Sequence, residues 1–189
     1  MSDPISRTPP QRPFGQLEDR MAIAEQLYRY CHAMDRCDWD LAKASFHPDA
    51  YDDHGMYKGD VQGLMDFARE RHRHIVMSMH LIGNILIEFA GDNLGLVESY
   101  CFVCQSFRFP PGEGREPSEF DTLAWVRYVD TFEKKDGVWK IARRITVFDK
   151  TMDVSSSDGG TARLVYNGSP RPRDRSDPYY TEREALGLH

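Results

Sequence analysis

Apolar residues along this chain change their period part-way. Leu17, Met21, Ala24, Tyr28 and Cys31 recur at steps of three and four, with Glu18, Arg20, Glu25 and Arg29 between them, which predicts an amphipathic helix. One further step of four along this stripe lands on Asp35. Asp38 then offers an N-cap for a short helix over 39–46, which His47-Pro48 ends. A loop or short strand through Tyr51-Asp52-Asp53-His54-Gly55 leads to a second cap at Asp60. Val61, Leu64, Met65 and Ala68 mark the inner face of the next helix, which runs to about His74. After it the period falls to two. Residues 79–89, 96–109, 123–134 and 138–148 read as strands, with Gly91-Asp92-Asn93 as a turn and Lys135-Asp136-Gly137 as a tight hairpin. Pro110-Pro111-Gly112-Glu113-Gly114 is the loop between the second and third strands. Helices first and an antiparallel meander after them predict an α+β domain. Helices on one face of a strongly curved antiparallel sheet make a cone, whose open end encloses a pocket.

Length and charge narrow the picture. The 189 residues suit one domain over 14–150, with a proline-interrupted tail at 1–13 and a polar extension at 151–189. That extension keeps Leu164, Val165, Tyr166, Tyr179 and Tyr180 as its apolar spots, spaced as in a strap across a neighbouring subunit. The formal net charge of −6 argues against a nucleic-acid partner. No apolar run approaches the roughly 18 residues of a membrane span, and no secretory leader is visible, so the cytoplasm is the expected compartment. The four cysteines are then free thiols. Cys101 and Cys104 spell C-x-x-C inside a strand, where positions i and i+3 face opposite ways, so the pair is unsuited to redox exchange. His72 and His74 point about 200° apart on a helix and make no metal site. No glycine-rich phosphate loop or dinucleotide fingerprint is present.

Particular stretches carry a family likeness. They are Tyr30-Cys31-His32-Ala33-Met34-Asp35, Asp38-Trp39-Asp40, Phe46-His47-Pro48-Asp49-Ala50, Tyr57-Lys58-Gly59, Met79-His80-Leu81-Ile82-Gly83-Asn84 and the run from Phe132 to Lys140. In this order they resemble the SnoaL-like domain of the nuclear-transport-factor-two-like superfamily, over roughly 17–149. The resemblance implies a cystatin-like α+β roll. Its dehydratase and dehydrochlorinase members use a histidine base oriented by an aspartate at the end of the first helix, with neither metal nor organic cofactor. Asp35 matches that aspartate and His80 that histidine. A homo-oligomer, trimer ahead of dimer, is also expected.

The residues themselves support such chemistry. Asp35 extends an apolar stripe, so its carboxylate needs partners or must titrate upward. His80, between Met79 and Leu81-Ile82, read alone is a satisfied core or rim histidine. A carboxylate on one imidazole nitrogen fixes the tautomer and raises the basicity of the other, which makes a general base. Tyr28 is placed either to donate to a substrate oxygen or to pack. Tyr51, Asp53 and His54 lie on the loop where related enzymes hold substrate-polarising groups. Asn84 shares His80's face if the strand is regular. Arg127 and Arg143 either line the cavity or face solvent, and Trp39 and Trp139 read as packing residues. The expected function is a cofactor-independent lyase or isomerase acting on a small, largely apolar, oxygenated substrate. The alternative is a non-catalytic binding or scaffold protein resembling the small subunit of ring-hydroxylating dioxygenases.

Overall fold

A computed structural model describes residues 16–112, 116 and 118–155. The N-terminal tail and the proposed strap lie outside these residues. Three helices come first: α1 (Leu17–Arg36), α2 (Trp39–Ala44) and α3 (Val61–His72), with β1 (Phe46–Asp53) and β2 (Lys58–Asp60) between the last two. Four long strands follow: β3 (Ile75–Phe89), β4 (Leu94–Phe109), β5 (Ser118–Lys135) and β6 (Val138–Ser155). They form one open sheet in the order β2-β1-β6-β5-β4-β3. The meander β3 to β6 is antiparallel, but β1 runs parallel to β6, so the sheet is mixed rather than wholly antiparallel. The parallel pairing arises because α3 and β2 separate β1 from the meander. Residues 46–53, read as a helix end followed by a loop or short strand, form a strand that pairs with both β2 and β6. The strands also overrun the expected ends, since cross-strand pairing continues to Phe120↔Ser155.

The buried face of α1 is Ile23, Leu27, Tyr30, Cys31, Met34 and Asp35. This corrects the expected stripe. Leu17, Met21 and Tyr28 are 62%, 64% and 51% exposed, so the helix is rotated until the 23-27-31-35 row faces the sheet. Both rows are partly apolar, and the inward one is the row whose Ile23, Leu27, Tyr30 and Met34 join the core cluster. The C-terminus of α1 is closed by Cys37, left-handed at φ 57°, while the Asp38 N–H donates 2.9 Å to the Ala33 carbonyl. Asp38 then caps α2, accepting from the Leu41 N–H, and Asp60 caps α3, accepting from Gly63. These closures hold the last turn of α1, and Asp35 with it, against β3.

Among the register shifts of the meander, two decide which of the candidate residues face inward. Ile82 pairs with Cys101 but Ile85 with Ser99, so β3 carries an extra residue at Gly83-Asn84. Phe132 pairs with Ile141 but Thr131 with Arg143, so β6 carries an extra residue near Ala142. The hairpin between β5 and β6 turns through Asp136 (φ 52°) and Gly137 (φ 80°), both left-handed as a type I′ turn requires. No helix among the described residues is long and apolar enough to cross a membrane.

Candidate functional site

Asp35 and His80 meet between the end of α1 and the middle of β3. His80 Nδ1 lies 2.6 Å from Asp35 Oδ1, and the His80 backbone N–H donates 2.8 Å to Oδ2. Ser78 Oγ donates 2.9 Å to Oδ1. Both side chains are about nine-tenths buried, at 8% and 10% exposure for His80 and Asp35. A carboxylate in the last turn of a helix sits at the negative end of the helix dipole, so it needs these donors. Burial pushes the Asp35 carboxyl up, but the bonds from His80 and Ser78 outweigh it and hold the group below the usual carboxylate value. An Asp35 carboxylate accepts this bond when His80 carries its proton on Nδ1, the tautomer whose other ring nitrogen, Nε2, is an acceptor.

Ser78 is the cross-strand partner of Gln105 on β4, and Gln105 Nε2 donates 3.3 Å to Ser78 Oγ. Gln105 Oε1 in turn accepts 3.3 Å from Arg71 Nη2 on α3. Cys31, one turn before Asp35, and Cys101 are buried beside the dyad. Their mutual hydrogen bond pushes Cys31 up, with burial adding to it, and draws Cys101 down. Cys104 is on the opposite face of β4, as its spacing from Cys101 requires.

Deeper in the interior, Arg144 is fully buried and bonds both oxygens of the fully buried Asp130, at 2.8 and 2.7 Å. Its guanidinium lies 4.0 Å from the Tyr128 ring centroid and 4.4 Å from that of Tyr30. Burial alone would lower Arg144 and raise Asp130. The bidentate pair keeps the guanidinium charged, and burial leaves Asp130 above its usual value. Asp52, fully buried on β1, is the register partner of Arg144 and lies 3.4 Å from His54 Nδ1.

The other candidates are not brought to the dyad. Tyr28 is on the outer side of α1, for the rotational reason above. Asn84 is exposed because the β3 bulge breaks the alternation between it and His80. Arg127 points to the outer face of β5, where Glu98 (2.6 Å) and Asp149 (2.9 and 3.0 Å) bind it. Tyr51 is outward under Arg143, 4.9 Å from its ring, and Asp53 pairs with Lys58 at 2.8 Å. His54 is half-buried, with Nδ1 3.2 Å from Thr146 Oγ1 and Phe148 edge-on. Trp139 packs in the core and donates from Nε1 to Asp19.

Sequence reasoning did not reach Ser78, Gln105, Arg71, Asp130, Arg144 or Asp52. Ser78 shares His80's face two residues earlier, but it lies one residue before the strand expected over 79–89, whereas β3 begins at Ile75. Arg144 was hidden by the β6 bulge, since counting by twos from Ile141 selects Arg143.

The residues from 15 to 145 match the SnoaL-like domain family model. The chain belongs to that family. No curated protein matches the chain. A Novosphingobium aromaticivorans protein provisionally named a scytalone dehydratase superposes with a TM-score of 0.63 at 19% identity, over 76% of this chain and 95% of that one. The type 3 hexachlorocyclohexane dehydrochlorinase of Novosphingobium barchaimii gives 0.63 at 17%, over 75% and 93%. A Nostoc punctiforme protein with a cystatin-like fold gives 0.54 at 19%, over 70% and 92%. These likenesses establish the α+β fold of the SnoaL-like chain.

Proposed function

We propose that this SnoaL-like protein is a cofactor-independent lyase or isomerase of the dehydratase kind, acting on a small, largely apolar, oxygenated substrate. The observation that carries the reading is the 2.6 Å bond between Asp35 and His80 in a nearly dry setting. Asp35 accepts on both oxygens, so it orients rather than reacts. His80 Nε2 removes a proton next to a carbonyl or β to a leaving group, a contribution of about 10²–10⁴ in rate. A structural neighbour named as a scytalone dehydratase and another named as a hexachlorocyclohexane dehydrochlorinase add support to elimination chemistry. A scaffold subunit needs no oriented histidine, so the buried pair favours the enzyme. The test is turnover of scytalone and of hexachlorocyclohexane by the wild type, His80→Ala and Asp35→Asn. Loss of at least a hundredfold in His80→Ala, with circular dichroism unchanged, is the expected result. Full activity in His80→Ala refutes the assignment.

We also propose a homo-oligomer, a trimer ahead of a dimer. Leu81, Phe102 and Trp125 are successive cross-strand partners on the outer face of the sheet. Met79, Cys104, Leu123 and Met152 form the adjoining row. Leu81 is 59% exposed and Tyr100 50%, a contiguous apolar band of the kind that marks an interface. The band lies on β3 to β5 and the end of β6.

A further inference from the structure

From Asp35 a chain of hydrogen bonds runs through Ser78 and Gln105 to Arg71, each link donating toward the carboxylate. Arg71 has only N–H donors, so Gln105 must turn its carbonyl Oε1 toward Arg71 Nη2. A flipped amide would set two donors against each other. Gln105 Nε2 then donates to Ser78 Oγ, and the Ser78 hydroxyl has one proton left, which goes to Asp35 Oδ1. Each link therefore fixes the next, from guanidinium to carboxylate.

The charges make the same point. Arg71 is half-buried, stacked 4.8 Å from the Phe107 ring centroid, and no carboxylate among the described residues lies within ion-pair distance of it. Burial lowers its pKa. Asp35 is a buried anion that accepts from a hydroxyl, a backbone N–H and an imidazole. The relay links these two charges through a polarised path, with Asp153 also acting on Arg71 from a distance.

We propose that Arg71, Gln105 and Ser78 are positioning residues for the dyad: a one-way hydrogen-bond relay that keeps Asp35 ionised and His80 protonated on Nδ1. The proposal rests on the dyad reading for its catalytic meaning, but the geometry it describes can be measured without a substrate. The titratable groups facing His80 come from several elements. Asp35 on α1 touches it, and Cys101 on β4 lies within its field. Cys31 interacts with Asp35, and Arg144 on β6 interacts with Cys101. Arg71 on α3 enters through the relay.

Gln105→Glu is the decisive variant, because it is nearly isosteric and gives Arg71 a carboxylate partner. A glutamate accepts from Ser78, so it turns the hydroxyl away from Asp35 and adds a negative charge nearby. Both effects favour imidazolium, so the His80 resonances titrate at higher pH than in the wild type. Ser78→Ala moves it the same way by removing a donor to Asp35, whereas Ser78→Thr keeps the hydroxyl and leaves it unchanged. The experiment is a nitrogen-15 NMR titration of the imidazoles in the full chain, with His80 assigned by its loss in His80→Ala. The expected result is an Nδ1–H tautomer in the wild type, upward shifts in Gln105→Glu and Ser78→Ala, and no shift in Ser78→Thr. An Nε2–H tautomer in the wild type overturns the relay, as does a His80 titration that stays within about 0.3 unit in both shifting variants. The activity of His80→Ala tests the catalytic reading separately, so the two failures are distinguishable.

Discussion

Asp35 occupies a place where a helix least favours a negative charge, and three donors make that place tenable. Its folded-state pKa is depressed, so its contribution to stability is full above the ordinary value of 3.8 and is lost as the pH falls below it. Asp35→Asn is therefore expected to flatten the acid limb of stability, seen as a smaller loss of urea midpoint between neutral pH and pH 3 than in the wild type. Equal losses in the two proteins would contradict the depressed pKa. Asp130 makes the opposite demand. Removing it strands a fully buried guanidinium, so Asp130→Ala is expected to cost about 3–5 kcal/mol in denaturant unfolding. A cost below about 1 kcal/mol, the range of an exposed pair, would mean that Arg144 finds another partner.

At the scale of elements, local signals and tertiary choices separate cleanly. The caps at Asp38 and Asp60 were readable because a side-chain oxygen three residues before an orphan N–H is a local matter. Asp60→Ala is expected to cost about 1 kcal/mol through the lost bond to Gly63, measured by thermal or urea unfolding, with α3 otherwise intact. The hairpin at Asp136-Gly137 was equally legible, since its left-handed φ values select those residue types. The bulges were not legible. An extra residue at Gly83-Asn84 or near Ala142 changes side-chain parity without changing composition. Asn84 leaves His80's face and Arg143 faces outward for that one reason, and Arg144 was missed by it.

The whole molecule is an open mixed sheet with its helices on one face and an apolar band on the other. If that band joins subunits, Leu81→Glu with Trp125→Glu is expected to convert the oligomer to monomer in light scattering at micromolar concentration. A wild-type protein that is already monomeric there would refute the oligomer. The period changes, caps and turns by themselves determined that helices precede a meander, and the fold class followed from them. The Asp35–His80 pair was reachable only through family likeness, because 45 residues separate its members and no local rule links them. Ser78, Gln105 and Arg71 join that pair only once β3 lies beside β4 and α3 packs near its end. Which row of α1 faces inward, which strand residues a bulge redirects, and whether a buried charge finds its counterion depend on long-range packing. Sequence periodicity carries one bit per residue, inside or outside, and a bulge or a helix rotation inverts that bit without leaving a local trace.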